Sequence, residues 1–413
     1  MKAMGPVPAW FTPSDQAGDD AQLKIGGWSA DELIDQAGGT PLFAYDNNIV
    51  GSQIARFRAA MPDGLALHYA VKANAYSPLL RFLARYVEGF DIASAGELQL
   101  LREAEVDGLP ISFAGPGKRD DEIESAIAAG VTLNVESEGE AERALAIAEL
   151  VGRQPKIAIR VNPPFGIKGA GMKMGGLVSP FGVDADRAAA LVRRVIEGGA
   201  EWRGLHIFAG SQVLAADALI EAQRATVVLA GEIADAAGAE PPEINLGGGF
   251  GIPYFPGEEP LDIIAVGAAL SETLVNVADS LANTRFAMEL GRWLVGEAGV
   301  YLTRIIDRKT SGGSTFLITD GGLHHMLAAS GNLGQVLRRN YPVAIAGRFG
   351  CQPDEDVTVT GCLCTPLDLL ADHVSLPHAE LGDVVAIFCA GAYGLSASPQ
   401  AFLSHPPARE MLV

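Results

Sequence analysis

The chain is short of positive charge. It carries 30 Lys and Arg against 50 Asp and Glu, a formal net charge of −20. Nucleic acids and anionic membranes are held by basic surfaces, so neither is expected as a partner, though a local basic pocket is not excluded. Cysteine is also scarce: Cys351, Cys362, Cys364 and Cys389 are the four, all late in the chain. Cys362 and Cys364 stand too close for an ordinary zinc pair. No second CxxC-like pair or histidine cluster is visible to complete a site, so no metal is expected. Reduced thiols in a cytoplasmic protein are the reading instead. No uninterrupted apolar run is long enough to span a bilayer. The opening MKAMGPVPAWFTPSDQAGDD has no continuous apolar core, so no signal peptide is expected. Internal repeats and low-complexity tracts are missing too. What is present, 48% hydrophobic and 19% charged residues, is the profile of a folded globular protein. A length of 413 residues accommodates one large domain and a smaller one.

Short apolar runs bounded by turn residues recur from residue 66: ALHYAVKAN (66–74), FDIASA (90–95), ISFAG (111–115), TLNVES (132–137), IAIRVN (157–162), GLHIFAGS (204–211), EINLGGGF (243–250) and RFAMELG (285–291). Helical patterns separate them. SPLLRFLARYVEG places Leu79, Leu80, Leu83 and Val87 on one face, and Ser137 and Glu140 stand at capping-box spacing. DADRAAALVRRVIEGG ends on glycines, as helices often do. Eight strands alternating with helices predict a (β/α)8 barrel over 47–292. A doubly wound open sheet is the alternative, but it usually carries a glycine fingerprint after its first strand, and none is there. Beyond residue 292, GVYLTRIID, STFLITD, YPVAIAG, EDVTVTGCLC and DVVAIFCAGAYG read as strands without clear helices between them. They predict a C-terminal antiparallel β-domain over 293–413, completed by the strand TPLFAYD of an N-terminal segment 1–46. GIKGAGMKMGGLVSPFG (166–182) is read as a loop on the catalytic face.

In a barrel of this kind, active sites form at the C-terminal strand ends. Lys72 ends the first strand, where the sheet is expected to bury its ammonium. His206, Phe208 and Ser211 belong to the sixth, Gly247 to Gly249 end the seventh, and Glu289 and Arg292 end the eighth. Consecutive glycines let backbone N–H groups approach an anion, and an arginine fork adds charge-assisted bonds. A desolvated lysine becomes an amine nucleophile for carbonyls. Phosphate binding beside such a lysine points to pyridoxal 5'-phosphate. Each element has a plainer reading. GGGF alone is a tight turn, Glu289 and Arg292 alone an ion pair, and Cys364 alone a small buried residue. His324 and His325 read as surface or loop residues. Joint placement at four strand ends favours the cofactor.

YAVKAN (69–74), GFDIASAGE (89–97), GLHIFAGSQ (204–212), NLGGGFGIPY (245–254), ELGRWLVGEAG (289–299), GCLCTPLD (361–368) and GAYG (391–394) follow one another in order. With these motifs the chain resembles the pyridoxal-phosphate decarboxylases of the alanine-racemase-like fold, which include diaminopimelate, ornithine and arginine decarboxylases. Within that group it is most similar to those associated with exosortase-type export and exopolysaccharide clusters. The resemblance implies that Lys72 carries the cofactor covalently and that Glu289 bonds its pyridine nitrogen. Arg292, Ser211, Gly248, Gly249 and Tyr393 would hold the phosphate. Asp91, Arg160, His206, Phe208 and Gly291 would complete the cofactor site. Cys364 would return a proton to Cα in a neighbouring subunit's site, with Thr365, Asp368 and Tyr393 at the substrate. The implied protein is a cytoplasmic homodimer.

Two positions depart from the pattern. Relatives usually carry a ring-stacking histidine where this chain has Phe208, with His206 two residues earlier. Relatives acting on dibasic amino acids carry an acid after the cysteine, where this chain has Thr365. A hydroxyl cannot pair with a distal ammonium as a carboxylate does, so the substrate reads as not dibasic, or as tethered to a carrier protein. The expected reaction is decarboxylation of an α-amino acid. Racemisation or epimerisation on the same cofactor, and a non-catalytic cofactor-binding role, are the alternatives.

Overall fold

The structure is a computed structural model. It describes residues 2–11, 22–167, 169, 171–173, 175–176, 178–335 and 337–413. Lys168, Ala170, Met174 and Leu177, within the glycine-rich segment predicted as a loop, lie outside the described residues. The chain divides into two compact units.

One unit comprises Ile54–Gly251 and Pro260–Gly291. Its eight principal strands are Ala66–Ala70, Gly89–Ile92, Ile111–Phe113, Thr132–Val135, Lys156–Asn162, Glu201–Ile207, Glu243–Asn245 and Arg285–Leu290. Every neighbouring pair is parallel, the eighth pairs with the first, and the fourth with the fifth, so the sheet closes into the predicted (β/α)8 barrel. The open-sheet alternative falls with that closure. Strands of a closed parallel sheet are covered on both faces. Accordingly Leu67 and Tyr69, on one strand side, and His68 and Ala70, on the other, are all buried. Each fully buried Leu or Phe contributes roughly 1.5–3 kcal/mol; Leu67→Asp would replace that gain with an unpaired buried charge.

The helices form where their sequence signals stand. Pro78 opens the helix Ser77–Leu83, whose Leu79, Leu80 and Leu83 are buried. Ser137 caps the helix Glu138–Val151 by accepting from the Glu140 N–H at 3.1 Å. The Glu140 carboxylate is used elsewhere, on the Glu136 N–H and on buried Lys118. The helix Ala185–Glu197 stops at Gly198.

The other unit comprises Met1–Gln53, Ile252–Glu259 and Arg292–Val413. Its centre is the long strand Gly299–Ser311, antiparallel to Leu42–Tyr45, to Val384–Ile387 and to Ser314–Thr319. The N-terminal strand thus completes the sheet as predicted. Two pairings are parallel instead: Ser314–Thr319 with Glu355–Thr360, and Arg409–Leu412 with Leu42–Tyr45. Arg409–Leu412 and the strand Leu369–Leu376 were not evident as strands from the sequence.

Candidate active site

The C-terminal ends of the first, fifth, sixth and eighth barrel strands gather Lys72, Arg160, His206, Phe208 and Glu289. Lys72 corrects one expectation. Its strand ends at Ala70, and Lys72 sits on the short 3-10 helix Val71–Ala73 that follows. The turn takes the side chain out of the sheet, and the residue is exposed rather than buried. Its Nζ stands 5.6 Å from the centroid of the Phe208 ring, within cation–π reach.

Glu289 is buried, and its Oε2 lies 3.2 Å from His206 Nε2. The alignment is too poor for a directed hydrogen bond, and neither His206 ring nitrogen has a hydrogen-bond partner among the described residues. Burial pushes the Glu289 carboxyl up, but His206, Lys72 and Arg160 outweigh it and hold it well below the usual carboxylate range. Glu289 is therefore an anion at neutral pH. Arg160 donates to Glu136 Oε1 at 2.8 Å, and its guanidinium lies 5.0 Å from the Phe181 ring centroid. Asp91 joins His68, 3.5 Å away, and the hydroxyl of Ser112, which itself accepts from Asn134 at 3.1 Å. Glu97 accepts from the Ala93 N–H at 2.6 Å; burial pushes its carboxyl up against the pull of Lys72.

After the seventh strand the chain turns through Gly247 and Gly249, at φ of +68° and +84°. A Cβ on Gly248 would lie 1.8 Å from the Glu289 carbonyl oxygen, and one on Gly291 would lie 2.7 Å from Ala73 Cβ. Only glycine permits these approaches, and the loop presents backbone N–H groups rather than side chains. Among the described residues no backbone carbonyl accepts from Gly248 or Gly249. Ser211 lies past the end of the sixth strand, in a two-residue strand, Gly210–Ser211, paired with Met172–Lys173.

In the sheet-rich unit, Arg292 donates to the Tyr254 hydroxyl at 2.9 Å, with its guanidinium 4.6 Å from the Tyr393 ring centroid. Tyr393 adopts a φ of +53°, a strained value for a non-glycine residue and one met at ligand sites. Burial pushes the Tyr254 hydroxyl up to about 12, so it remains a neutral partner for Arg292. Sequence reasoning missed Tyr254, although it stands inside the quoted NLGGGFGIPY. It also missed Glu136 and His68, whose signal was only an ionisable residue in an apolar run.

Cys364 is exposed on the loop 361–368. Asp368, four residues on, is buried and accepts from the N–H groups of Leu323 at 2.6 Å and Leu363 at 2.8 Å. A Cβ on Gly322 or Gly361 would lie within 2.5 Å of that carboxylate. Asp368 thus shapes the loop, and Thr365 accepts the Leu367 N–H at 3.3 Å within it. His324 and His325 correct a second expectation. Both are buried, at 0% and 1% exposure, with ring centroids 3.7 Å apart. His325 is tied by Tyr301 Oη at 3.3 Å and the Pro406 carbonyl at 2.9 Å. Burial, with His325 and His405 nearby, pushes His324 down to about 4.

Residues 48–296 match the model described as pyridoxal-dependent decarboxylase, pyridoxal binding domain. The L-glutamyl-[BtrI acyl-carrier protein] decarboxylase of Niallia circulans is 36% identical over 379 residues, covering 90% of this chain and 88% of that protein. The diaminopimelate decarboxylase of Methanothermobacter thermautotrophicus is 33% identical over 412 residues, covering 97% and 92%. The chain belongs to the pyridoxal-dependent decarboxylase family. The diaminopimelate decarboxylase of M. jannaschii, solved in complex with L-lysine, superposes with a TM-score of 0.85 at 26% identity, covering 98% of this chain and 92% of that one. As a member of the family this is a pyridoxal-phosphate-dependent carboxy-lyase acting on an α-amino acid. The barrel fits that cofactor. It offers an exposed primary amine over an aromatic face, a buried carboxylate, and a glycine turn that a Cβ would block. Among the described residues no helix is long and apolar enough to cross a membrane.

Proposed function

We propose that this decarboxylase acts on an amino acid without a distal ammonium, presented as an acyl group on a carrier protein. The observation that carries this reading is the loop around Cys364. Its one carboxylate, Asp368, is buried and holds the Leu323 and Leu363 N–H groups, and the positions between are Thr365, Pro366 and Leu367. No acid of that loop is left to pair with a distal ammonium, which a dibasic substrate needs. The similarity to a decarboxylase named for an L-glutamyl carrier protein supports the same reading.

Pyridoxal phosphate, when bound, supplies the electron-accepting ring. The chain's own residues do the rest. Lys72 Nζ would hold the cofactor by its primary amine. Phe208 offers a π-face in place of a stacking imidazole. Glu289, held anionic beside His206, Lys72 and Arg160, would keep a proton on the pyridine nitrogen. Gly248, Gly249 and Ser211 on the barrel, and separately Arg292 and Tyr393, have the chemistry to receive a phosphate. Cys364 Sγ, from the second subunit of a homodimer, delivers a proton to the substrate Cα after the carboxylate leaves. Its exposure within one chain supports that placement. Unpaired cysteines support a reducing, cytoplasmic setting.

The test is CO2 release from an L-glutamyl carrier protein, set against free diaminopimelate, ornithine, lysine, arginine and glutamate. The tethered substrate should show the highest kcat/KM. A higher kcat/KM for free diaminopimelate or ornithine would sink the proposal.

A further inference from the structure

His324, Cys362 and His405 come from three separate segments of the sheet-rich unit. Their donor atoms nonetheless lie within 4.8 Å of one another. Cys362 Sγ stands 3.9 Å from His405 Nδ1, and the His324 and His405 ring centroids are 5.3 Å apart. His324 is fully buried, and neither of its ring nitrogens has a hydrogen-bond partner among the described residues. A buried imidazole without partners is rare, because both nitrogens lose water and gain nothing. Its neighbour makes the contrast: His325 uses both nitrogens, one on Tyr301 and one on the Pro406 carbonyl. That second bond also fixes the chain beside His405. A tilted contact with the His325 ring, 41° between planes, packs the His324 ring but leaves its nitrogens idle.

We propose that His324, Cys362 and His405 form a binding site for a divalent transition-metal cation, with zinc the best match to the donor set. Two imidazoles and one thiolate are borderline-soft ligands, and zinc takes four such positions tetrahedrally. Zinc–nitrogen bonds of about 2.0–2.1 Å and zinc–sulfur bonds of about 2.3 Å put neighbouring donors roughly 3.4–3.6 Å apart. The present spacings need a contraction of up to about 1.4 Å, toward which rotation of the half-exposed His405 side chain contributes. Three protein ligands leave a fourth position for water or an exogenous donor. Binding converts the Cys362 thiol to a thiolate, so one proton leaves for each metal bound. The metal would tie three points together: the segment after Asp320, the tail before Arg409, and the loop carrying Cys364. Its effect on the reaction would be to hold the Cys364 loop, making the three ligands positioning residues. The site itself stands apart from the substrate proposed above.

The test uses the full-length holoenzyme without a histidine tag, stripped with chelator and then titrated with Zn2+ or Co2+. One metal per chain should bind below micromolar concentration. Co2+ should show the visible bands of tetrahedral coordination, to the red of cofactor absorption, together with a thiolate charge-transfer band. Cys362→Ser and His405→Gln should each weaken binding more than the about hundredfold lost with an outer-shell partner. Cys364→Ser should leave metal binding unchanged. His405 is half-exposed, so its variant should fold, with cofactor absorbance as the check. Two results would overturn the proposal: wild-type holoenzyme that binds neither metal below micromolar concentration, or stoichiometric metal retained in the Cys362→Ser/His405→Gln double variant.

Discussion

In the barrel, buried charges meet opposite charges as well as backbone groups: Arg160 with Glu136, which also takes the Gly115 and Gly182 N–H groups, and Lys118 with Glu140. In the sheet-rich unit, the buried carboxylate of Asp368 is held by backbone N–H groups with no ion-pair partner among the described residues, and His324 has no hydrogen-bond partner among them. The difference lies in which side chains each region brings together: in the barrel, Lys118 and Arg160 reach the carboxylates of Glu140 and Glu136. The loop 361–368 has unpaired N–H groups, and Asp368 supplies the acceptor, fixing the loop's shape and leaving Cys364 outside. One region sets charge before a ligand arrives; the other sets the position of a thiol.

The largest expected effect breaks the barrel half alone. Lys72→Ala should lower decarboxylation more than about a thousandfold, because the amine nucleophile is lost. Borohydride-reduced wild-type enzyme should carry the cofactor label on Lys72 by peptide mapping. A label elsewhere would remove the barrel site from the reaction. Cys364→Ala should cost about 10²–10⁴-fold in kcat, the range for a proton-transfer group, without loss of cofactor absorbance.

Those two variants together test whether the halves meet across subunits. Each is nearly inactive alone. Unfolded and refolded in equal amounts, they should recover about one quarter of wild-type activity, since mixed dimers hold one intact composite site by two-fold symmetry. Proven subunit exchange with no recovery would place Cys364 in its own chain's site or outside the chemistry.

A smaller effect concerns selectivity. Thr365→Glu should shift kcat/KM toward amino acids with a distal amine by about one to two decades, the worth of a charge-assisted bond. No shift would show that this position does not meet the substrate.

The smallest effect separates the barrel's two His–carboxylate pairs. Burial opposes charge on His68, but Asp91 outweighs it and raises the His68 value above 6.5. A group with a raised folded value contributes stability that is full below about pH 6.5 and is lost as pH rises through the folded value. His68→Gln should therefore flatten the decline of Tm across that window, by about 2–4 °C. An unchanged Tm–pH profile would show the pair to be neutral packing.

Much of this architecture was legible beforehand. All eight barrel strands were marked by apolar runs, because strands buried on both faces read as continuous hydrophobic segments. The strand Leu369–Leu376 was not, since Asp372 and His373 interrupt its apolar pattern. There the ladder shifts register, and His373 adopts a φ of +50°. Lys72 was read as buried because its neighbours are strand-like; where the strand stops, two residues earlier, is not written in its composition.

The sequence by itself determined the barrel, the YAVKAN motif around Lys72 and the neutral residue after Cys364, because each is a local pattern of residue types. Only the tertiary structure decided which side chains answer one another. It set His206 against Glu289, Tyr254 on Arg292, and Asp368 on the backbone of Leu323 and Leu363. It also buried His324 beside Cys362 and His405. These partners stand far apart along the chain, and no local periodicity carries a distance between segments that only packing brings together.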